Sequence, residues 1–343
     1  MSQTYQVQSI RNTFRMDVRC YDLVEVTHTS QLPALLKSAL SYPSPPLVLG
    51  YASNVILPKL YTGMVILNRI MGVDVVLESA EHVDVEVGSG EVWHDFVSYA
   101  LSQEWYGLEN LALIPGGVGA ALVQNIGAYG VEICQFVLRC EVYCRRTGLF
   151  VWLSARECAF AYRSSIFKNA HKNQYIIVRT VLRLAKTPDL VLNYPRLSNY
   201  IKENVSMGTV SPNCVFDAVC AIRRARLPCV TKTGTVGSFF INPVISADHF
   251  HQLQNCLAVN VDWFLMDDGR YKLFVGNLLS LLGWRGYRRG QFVVNRVNPI
   301  VLEHLGGGEY EDLMWLISAI QQSVWQVFAI KLSPEPEIVC GSN

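Results

Sequence analysis

The residues best suited to do chemistry through their backbone lie between Pro115 and Gly130. The run Pro115-Gly116-Gly117-Val118-Gly119-Ala120-Ala121 continues through Gln124-Asn125-Ile126-Gly127-Ala128-Tyr129-Gly130. Five glycines in sixteen residues let the main chain come close to another group. Successive exposed N–H groups in such a run can make a nest for phosphate oxygens. The spacing is not a Walker loop, because no Gly-Lys-Ser/Thr follows, and no G-x-G-x-x-G opens a helix. Gly88-Ser89-Gly90 also lacks a third glycine. A packed turn between two elements would account for the run equally well. A second polar loop, Gly50-Tyr51-Ala52-Ser53-Asn54, follows the short apolar run PLVLG, a common place to hold a ligand's polar groups.

Metal chemistry has little to stand on. Ten cysteines occur, but no Cys-x-x-Cys pair, and Cys140 and Cys144 have no nearby histidine to complete a zinc site. Buried free thiols are expected, and no metal.

The elements that must carry these loops follow from periodicity. YDLVEVTH (21–28) reads as a strand, SQLPALLKSALSY as a helix with Ser30 as its possible cap, and PLVLG as a buried strand. MVILNRI and VDVEVGSG read as strands within 62–90, and a helix is expected from about Val92 to Gln103. Residues 137–153 form a hairpin around Arg146-Thr147-Gly148, and residues 175–184 another strand. Helices are expected over 213–226 and 310–329, with a last strand around Pro336.

A chain of 343 residues exceeds one ordinary core, so two or three domains are expected. Half the residues are hydrophobic and 17% charged, which excludes a disordered chain. A formal net charge of +1 without charged blocks argues against nucleic-acid or anionic membrane surfaces as partners. The start MSQTYQVQSIRNTFRMD has no signal-peptide core, and Leu273–Trp284 is too short and polar to span a bilayer. No membrane insertion and a reducing, cytoplasmic setting are expected.

The run LENLALIPGGVGAALVQNIGAYGVE closely resembles a hallmark of the UDP-N-acetylenolpyruvoylglucosamine reductase family. NTF at 12–14, GYASN at 50–54, YRSSIFK at 162–168, GSFFINP at 237–243 and EPE at 335–337 extend the resemblance almost end to end. The resemblance implies an α+β chain: vanillyl-alcohol-oxidase-type FAD-binding domains plus a third, α+β substrate-binding domain. It implies bounds of 1–66 for the first FAD subdomain (with 320–343 returning to it), 67–205 for the second, and 206–319 for the substrate domain. Residues near Tyr194 suggest the family's longer form. The implied activity is reduction of UDP-N-acetylglucosamine enolpyruvate to UDP-N-acetylmuramate, with FAD as cofactor and NADPH as reductant, by a monomer. The implied FAD contacts are Gly50, Ser53 and Asn54, Pro115 through Ala120, and Asn125, Gly127, Ala128 and Gly130.

That reaction needs a cation or proton donor beside a carboxylate, and an acid for the α-carbon where charge develops. By resemblance these are Arg163, whose planar fork suits a carboxylate, and Ser238, with Glu337 beside the arginine. A glutamate facing a developing anion must be protonated or paired, so a raised pKa is expected for Glu337 in the complex. Tyr194 is expected to close over the UDP diphosphate, Arg223 and Arg226 to offer charge to the nucleotide, and Asn242 to orient the substrate. On residue type alone, the two arginines could equally line one exposed helix face.

Several positions depart from the family pattern. Tyr51 and Ala52 replace glycines, at a cost of roughly 1–2 kcal/mol if either needs φ > 0. Ile241 stands where a lysine is usual, so a charge is lost, and Asn277 replaces a tryptophan. These departures motivate an alternative: a fold-retaining binding or structural protein with weakened FAD or substrate use. A third reading, an FAD oxidase sharing only the flavin domain, would need a covalent-flavin His or Cys. Neither His94 nor His171 lies in a motif of that kind.

Overall fold

The computed structural model describes residues 5, 7–205, 208, 210–256 and 260–340. The expected break between 205 and 206 therefore falls beside residues outside the described set.

Strand Arg19–Val26 crosses over through helix Leu32–Ser38, which has Pro33 in its first turn, to strand Ser44–Leu49. Both strands lie parallel to Leu60–Asn68, which sits between them, and Gln8–Ser9 closes the far edge. Ser30 is not the helix cap. It lies inside a 3-10 turn, Thr29–Gln31, which His28 precedes in extended conformation. Gln31 Oε1 accepts the N–H groups of Thr27 and His28 at 2.9 and 3.0 Å, the glutamine half of a capping box on that turn.

A second, antiparallel sheet runs in the order Leu149–Ser154, Val137–Cys144, Tyr175–Ala185, His82–Gly88, Val73–Glu78. Strand 82–88 alternates: Val83, Val85 and Val87 are fully buried, while Asp84 and Glu86 face Arg183 and Arg179. Its partner Val73–Glu78, which periodicity does not single out, is an edge strand with Val75, Val76 and Leu77 about half exposed. The hairpin turns at Gly148, φ 72°, as its spacing predicts. The helices Trp93–Ser102, Pro212–Arg226 and Tyr310–Phe328 match their expected spans within two residues. The last strand is Glu337–Ile338, just past Pro336, and pairs parallel with Val55–Ile56.

Three cores hold these layers. One joins residues from Ile10 to Val65 with residues from Val236 to Leu332. A second runs from Val83 to Ile222 and includes Val215, Ala218, Val219 and Cys220 of helix Pro212–Arg226. The third packs Val26, Leu32 and Ile66 against Tyr143, Ile176 and Val178, tying the two sheets together. Two small three-stranded sheets, around Tyr271–Leu273 and Phe292–Val294, complete the C-terminal part. Nine described cysteines are free; the Cys256 side chain lies outside the described set. Among the described residues no helix is long and apolar enough to cross a membrane, and no group of His, Cys, Asp and Glu could hold a metal.

Candidate active site

The two small-residue loops face each other. Ser53 Oγ donates to Pro115 O at 3.1 Å, and Asn54 Nδ2 donates to Gln124 Oε1. A methyl group added at Gly50 would lie 3.7 Å from Ala120 Cβ, so the loops meet at ordinary contact distance. Gly116 has φ +127°, which a side chain would strain. At Gly119 a Cβ would stand 2.5 Å from Ser89 Cβ, and the Ser89 hydroxyl is buried with no protein partner. Val118, Gly119 and Ala120 form the first turn of a short helix that keeps this seam narrow. Glycine backbone along the seam and an orphaned hydroxyl beside it are features that fit the diphosphate of FAD. Asn125 contributes differently. Its side chain, fully buried, binds Glu132 Oε2, Ala161 O and Cys134 N–H, so any approach to a cofactor would be through its main chain.

Tyr51 does not crowd this seam freely. Its hydroxyl donates to Gly90 O at 2.8 Å, and Arg69 lies 4.2 Å over its ring while donating to Gly50 O. Ala52 does adopt the left-handed conformation, φ 48°, and carries the expected penalty of roughly 1–2 kcal/mol.

Arg163 sits at the tip of a tight turn closed by reciprocal hydrogen bonds between Ala161 and Ser164, with φ 53°. That turn aims the guanidinium at the glycine run: Nη2 donates to Gly127 O at 2.7 Å. Its carboxylate neighbour is Glu335, with Nε to Oε1 at 3.5 Å, and both side chains are less than one-fifth exposed. Glu337 was expected beside the arginine. It instead pairs with Lys172 at 2.9 Å and is one-third exposed. Both glutamates belong to one extended segment, and Lys172 captures the outer one. Burial pushes the Glu335 carboxyl above the ordinary glutamate range, against the opposing pull of Arg163, Lys168 and Arg223.

The serine motif reaches the same place through its backbone. Glu335 N–H donates to Phe239 O at 2.8 Å and Ile241 N–H to Ser333 O at 2.9 Å. On the other side Phe239 N–H donates to Ile300 O, and Ser238 bridges Val301. Gly237, φ 78°, supplies the bend that presents half-buried Ser238. Glu335 O accepts from Lys168 Nζ at 3.0 Å and from Asn54 Nδ2 at 3.5 Å. The serine, arginine, Ser-Asn and EPE motifs thus converge on one residue.

Tyr194 precedes helix Pro195–Asn204 and packs edge-on against Tyr129, with centroids 5.4 Å apart. Arg223 turns inward, donating to Leu113 O at 3.3 Å and hydrogen-bonding Tyr129. Arg226 lies near Arg196, Tyr129 and Tyr194; burial lowers the pKa of both Arg223 and Arg226. Of the helix's three arginines only Arg224 is exposed, so the two named arginines do not line one solvated face. Asn242 Oδ1 accepts from Val275 N–H at 3.0 Å, and its side chain also hydrogen-bonds Tyr162.

Two residues near this centre escape sequence reasoning. The Tyr162 ring lies 5.2 Å from both the Arg163 guanidinium carbon and Lys272 Nζ. Lys272, opposite Val244 in the register, brings a cation near Arg163 from another strand. The charge lost at Ile241 therefore has a counterpart, which only the pairing of distant strands reveals.

The model of an FAD binding domain matches residues 22–154, and that of the UDP-N-acetylenolpyruvoylglucosamine reductase C-terminal domain matches residues 229–339. Proteins named UDP-N-acetylenolpyruvoylglucosamine reductase are similar along nearly their whole length. The Bordetella pertussis protein is 40% identical over 336 residues, 97% of this chain and 95% of its own. The Paraburkholderia xenovorans protein is 39% identical over 95% of this chain and 94% of its own, and the Pasteurella multocida protein 38% identical over 96% and 94%. The crystal structure of the Thermus caldophilus reductase (MurB) superposes with a TM-score of 0.65 at 20% identity, covering 98% of this chain and 99% of that one. The fold is an α+β fold with an FAD-binding domain and a C-terminal domain of the reductase type, and the chain belongs to the UDP-N-acetylenolpyruvoylglucosamine reductase family.

Proposed function

We propose that this chain reduces UDP-N-acetylglucosamine enolpyruvate to UDP-N-acetylmuramate, a step of peptidoglycan precursor synthesis, using FAD and electrons from NADPH. The observation that carries the reading is Arg163, held at the edge of the glycine-lined seam by Gly127 and Glu335. When bound, FAD would supply the hydride that adds to the enolpyruvyl double bond. The chain's own residues supply position and charge. Arg163 receives the substrate carboxylate and stabilises the negative charge that spreads onto it. The Ser238 hydroxyl gives a proton to the α-carbon, and Glu337 helps polarise the enolic form. Gly50, Ser53, Asn54 and the 115–130 run hold FAD. Tyr194, Arg223, Arg226 and Asn242 hold the sugar nucleotide, supported by the clustering of the first three around Tyr129.

The reading also assigns three units: 1–66 with 320–343, 67–205, and 206–319. Ile320, Val324, Phe328, Ile330 and Leu332 share a core with Ile10, Phe14 and Ile56, which supports the return of the C-terminus. A cytoplasmic monomer is part of the same reading.

The visible spectrum tests it. The purified protein should show flavin bands that bleach with NADPH under anaerobic conditions and return when the enolpyruvyl sugar nucleotide is added. A colourless protein that cannot be reconstituted with FAD would overturn the proposal.

A further inference from the structure

The main chain of Glu335 is anchored by three hydrogen bonds, with a fourth at Glu337. Its N–H donates to Phe239 O and its carbonyl accepts from Lys168 Nζ and Asn54 Nδ2, while Glu337 N–H donates to Asn54 O two residues on. The carboxylate, 15% exposed, lies against Arg163 Nε at 3.5 Å. Arg163 itself is fixed by Gly127 O. A substrate carboxylate arriving at this guanidinium would make two anions share one cation.

We propose that Glu335 is a positioning residue for Arg163 and takes up a proton from solvent when a substrate carboxylate occupies the guanidinium. This rests on the reading that Arg163 receives that carboxylate. Two carboxylates in one half-dry site cannot both stay ionised cheaply, and one of them is protonated. The substrate's carboxylate has a new, direct partner in Arg163, so the proton goes to Glu335. Burial tips this balance toward protonation against the pull of the cations that face Glu335. Arg163, Lys168 and Arg223 favour its charged form, Tyr162 lies near it, and burial already opposes the charge. Lys168 bonds the backbone carbonyl of Glu335, and Lys172 is engaged by Glu337.

Titration calorimetry of the FAD-loaded, oxidised enzyme with the enolpyruvyl sugar nucleotide, in buffers of differing ionisation enthalpy, counts protons taken up on binding. The expected result is uptake approaching about one proton in the wild type and none in Glu335→Gln. No uptake in the wild type, or undiminished uptake in Glu335→Gln, overturns the proposal. UDP-N-acetylglucosamine, which lacks the carboxylate, should bind without uptake in every variant. The underlying reading fails separately: it falls if Arg163→Met binds the enolpyruvyl nucleotide as well as the wild type does. Should Glu335→Gln not fold, the wild type decides alone. Its affinity for the enolpyruvyl nucleotide should fall by up to about tenfold per pH unit as pH rises between the free and bound pKa values of Glu335. A profile as flat as that for UDP-N-acetylglucosamine would overturn the proposal.

Discussion

Arg163 carries two unusual features at once, a left-handed backbone and a guanidinium bonded to a main-chain carbonyl of the glycine run. A side chain held so firmly is pre-organised, and pre-organised donors lose no freedom as charge develops. Replacing it with methionine keeps the stem and removes the fork. Arg163→Met should lower kcat by about 100- to 1,000-fold, the range for losing one donor to a developing anion. Steady-state kinetics on flavin-loaded enzyme would measure this, and unchanged flavin content would exclude a folding defect. A variant within threefold of wild type would remove Arg163 from the reaction. The arginine is legible in the sequence through its YRSS motif, whereas the glutamate beside it is not. Glu335 and Glu337 are two apart in an extended segment, and side chains two apart share a face. Which of them meets the arginine depends on Lys172, and no local pattern encodes that choice. Lys272 is hidden for a similar reason, since it reaches Tyr162 only through pairing with Val244.

Strands with strict alternation are the most legible elements, and His82–Gly88 shows why. Its three valines are wholly buried, and its acidic residues face arginines on Tyr175–Ala185. Asp84 meets Arg183 in a bidentate pair, at 2.7 and 2.8 Å. The Arg183 hydrogen bonds hold the Asp84 carboxyl below the ordinary aspartate range, against the opposing effect of burial. A depressed pKa means the unfolded chain binds the proton more tightly. The pair's contribution is therefore present above the unfolded value, about 3.9, and is lost as pH falls through the folded value. Asp84→Asn should be less stable than wild type near pH 7, and the gap should close in acid. Urea unfolding at several pH values would measure it, and a gap independent of pH would refute the role of the pair. The edge strand Val73–Glu78 falls inside the 62–90 stretch that reads as strands, but half-exposed Val75, Val76 and Leu77 leave it no buried face to mark its bounds. The cap of the first helix is misread for a different reason. Propensity favours serine, but the chain enters through a 3-10 turn first, whose cap position falls on His28 and whose third residue Gln31 bonds back to the His28 N–H.

Across the whole molecule, residues from Ile10 to Val65 share one core with residues from Val236 to Leu332, and His304 bonds Phe14 across that junction. Gly308 N–H donates to its Nε2 at 2.9 Å, so Nε2 carries no proton. Nδ1 must then carry it and donate to Phe14 O, also at 2.9 Å, across 290 residues of chain. The ring stacks on Phe292, with centroids 4.8 Å apart, and is 1% exposed. Burial lowers its pKa, and Arg15 adds to the effect, while the Phe14 bond opposes it. The unfolded chain thus binds this proton more tightly than the folded one. Stability from neutral His304 is complete above the unfolded value, about 6.5, and declines as pH falls toward the folded value. Protonation would turn Nε2 into a donor facing the Gly308 donor and break the junction. His304→Leu should cost about 2 kcal/mol at pH 8, because Phe14 O and Gly308 N–H lose their partner. The same variant should flatten the loss of stability below pH 6.5 by up to about 1.4 kcal/mol per pH unit. Some slope should persist through His94, whose pKa burial also lowers and whose Nδ1 accepts from Leu113 N–H. Denaturant unfolding from about pH 5 to about pH 8 gives both quantities. If His304→Leu keeps the full wild-type slope, the neutral imidazole is not what joins the two ends of the chain.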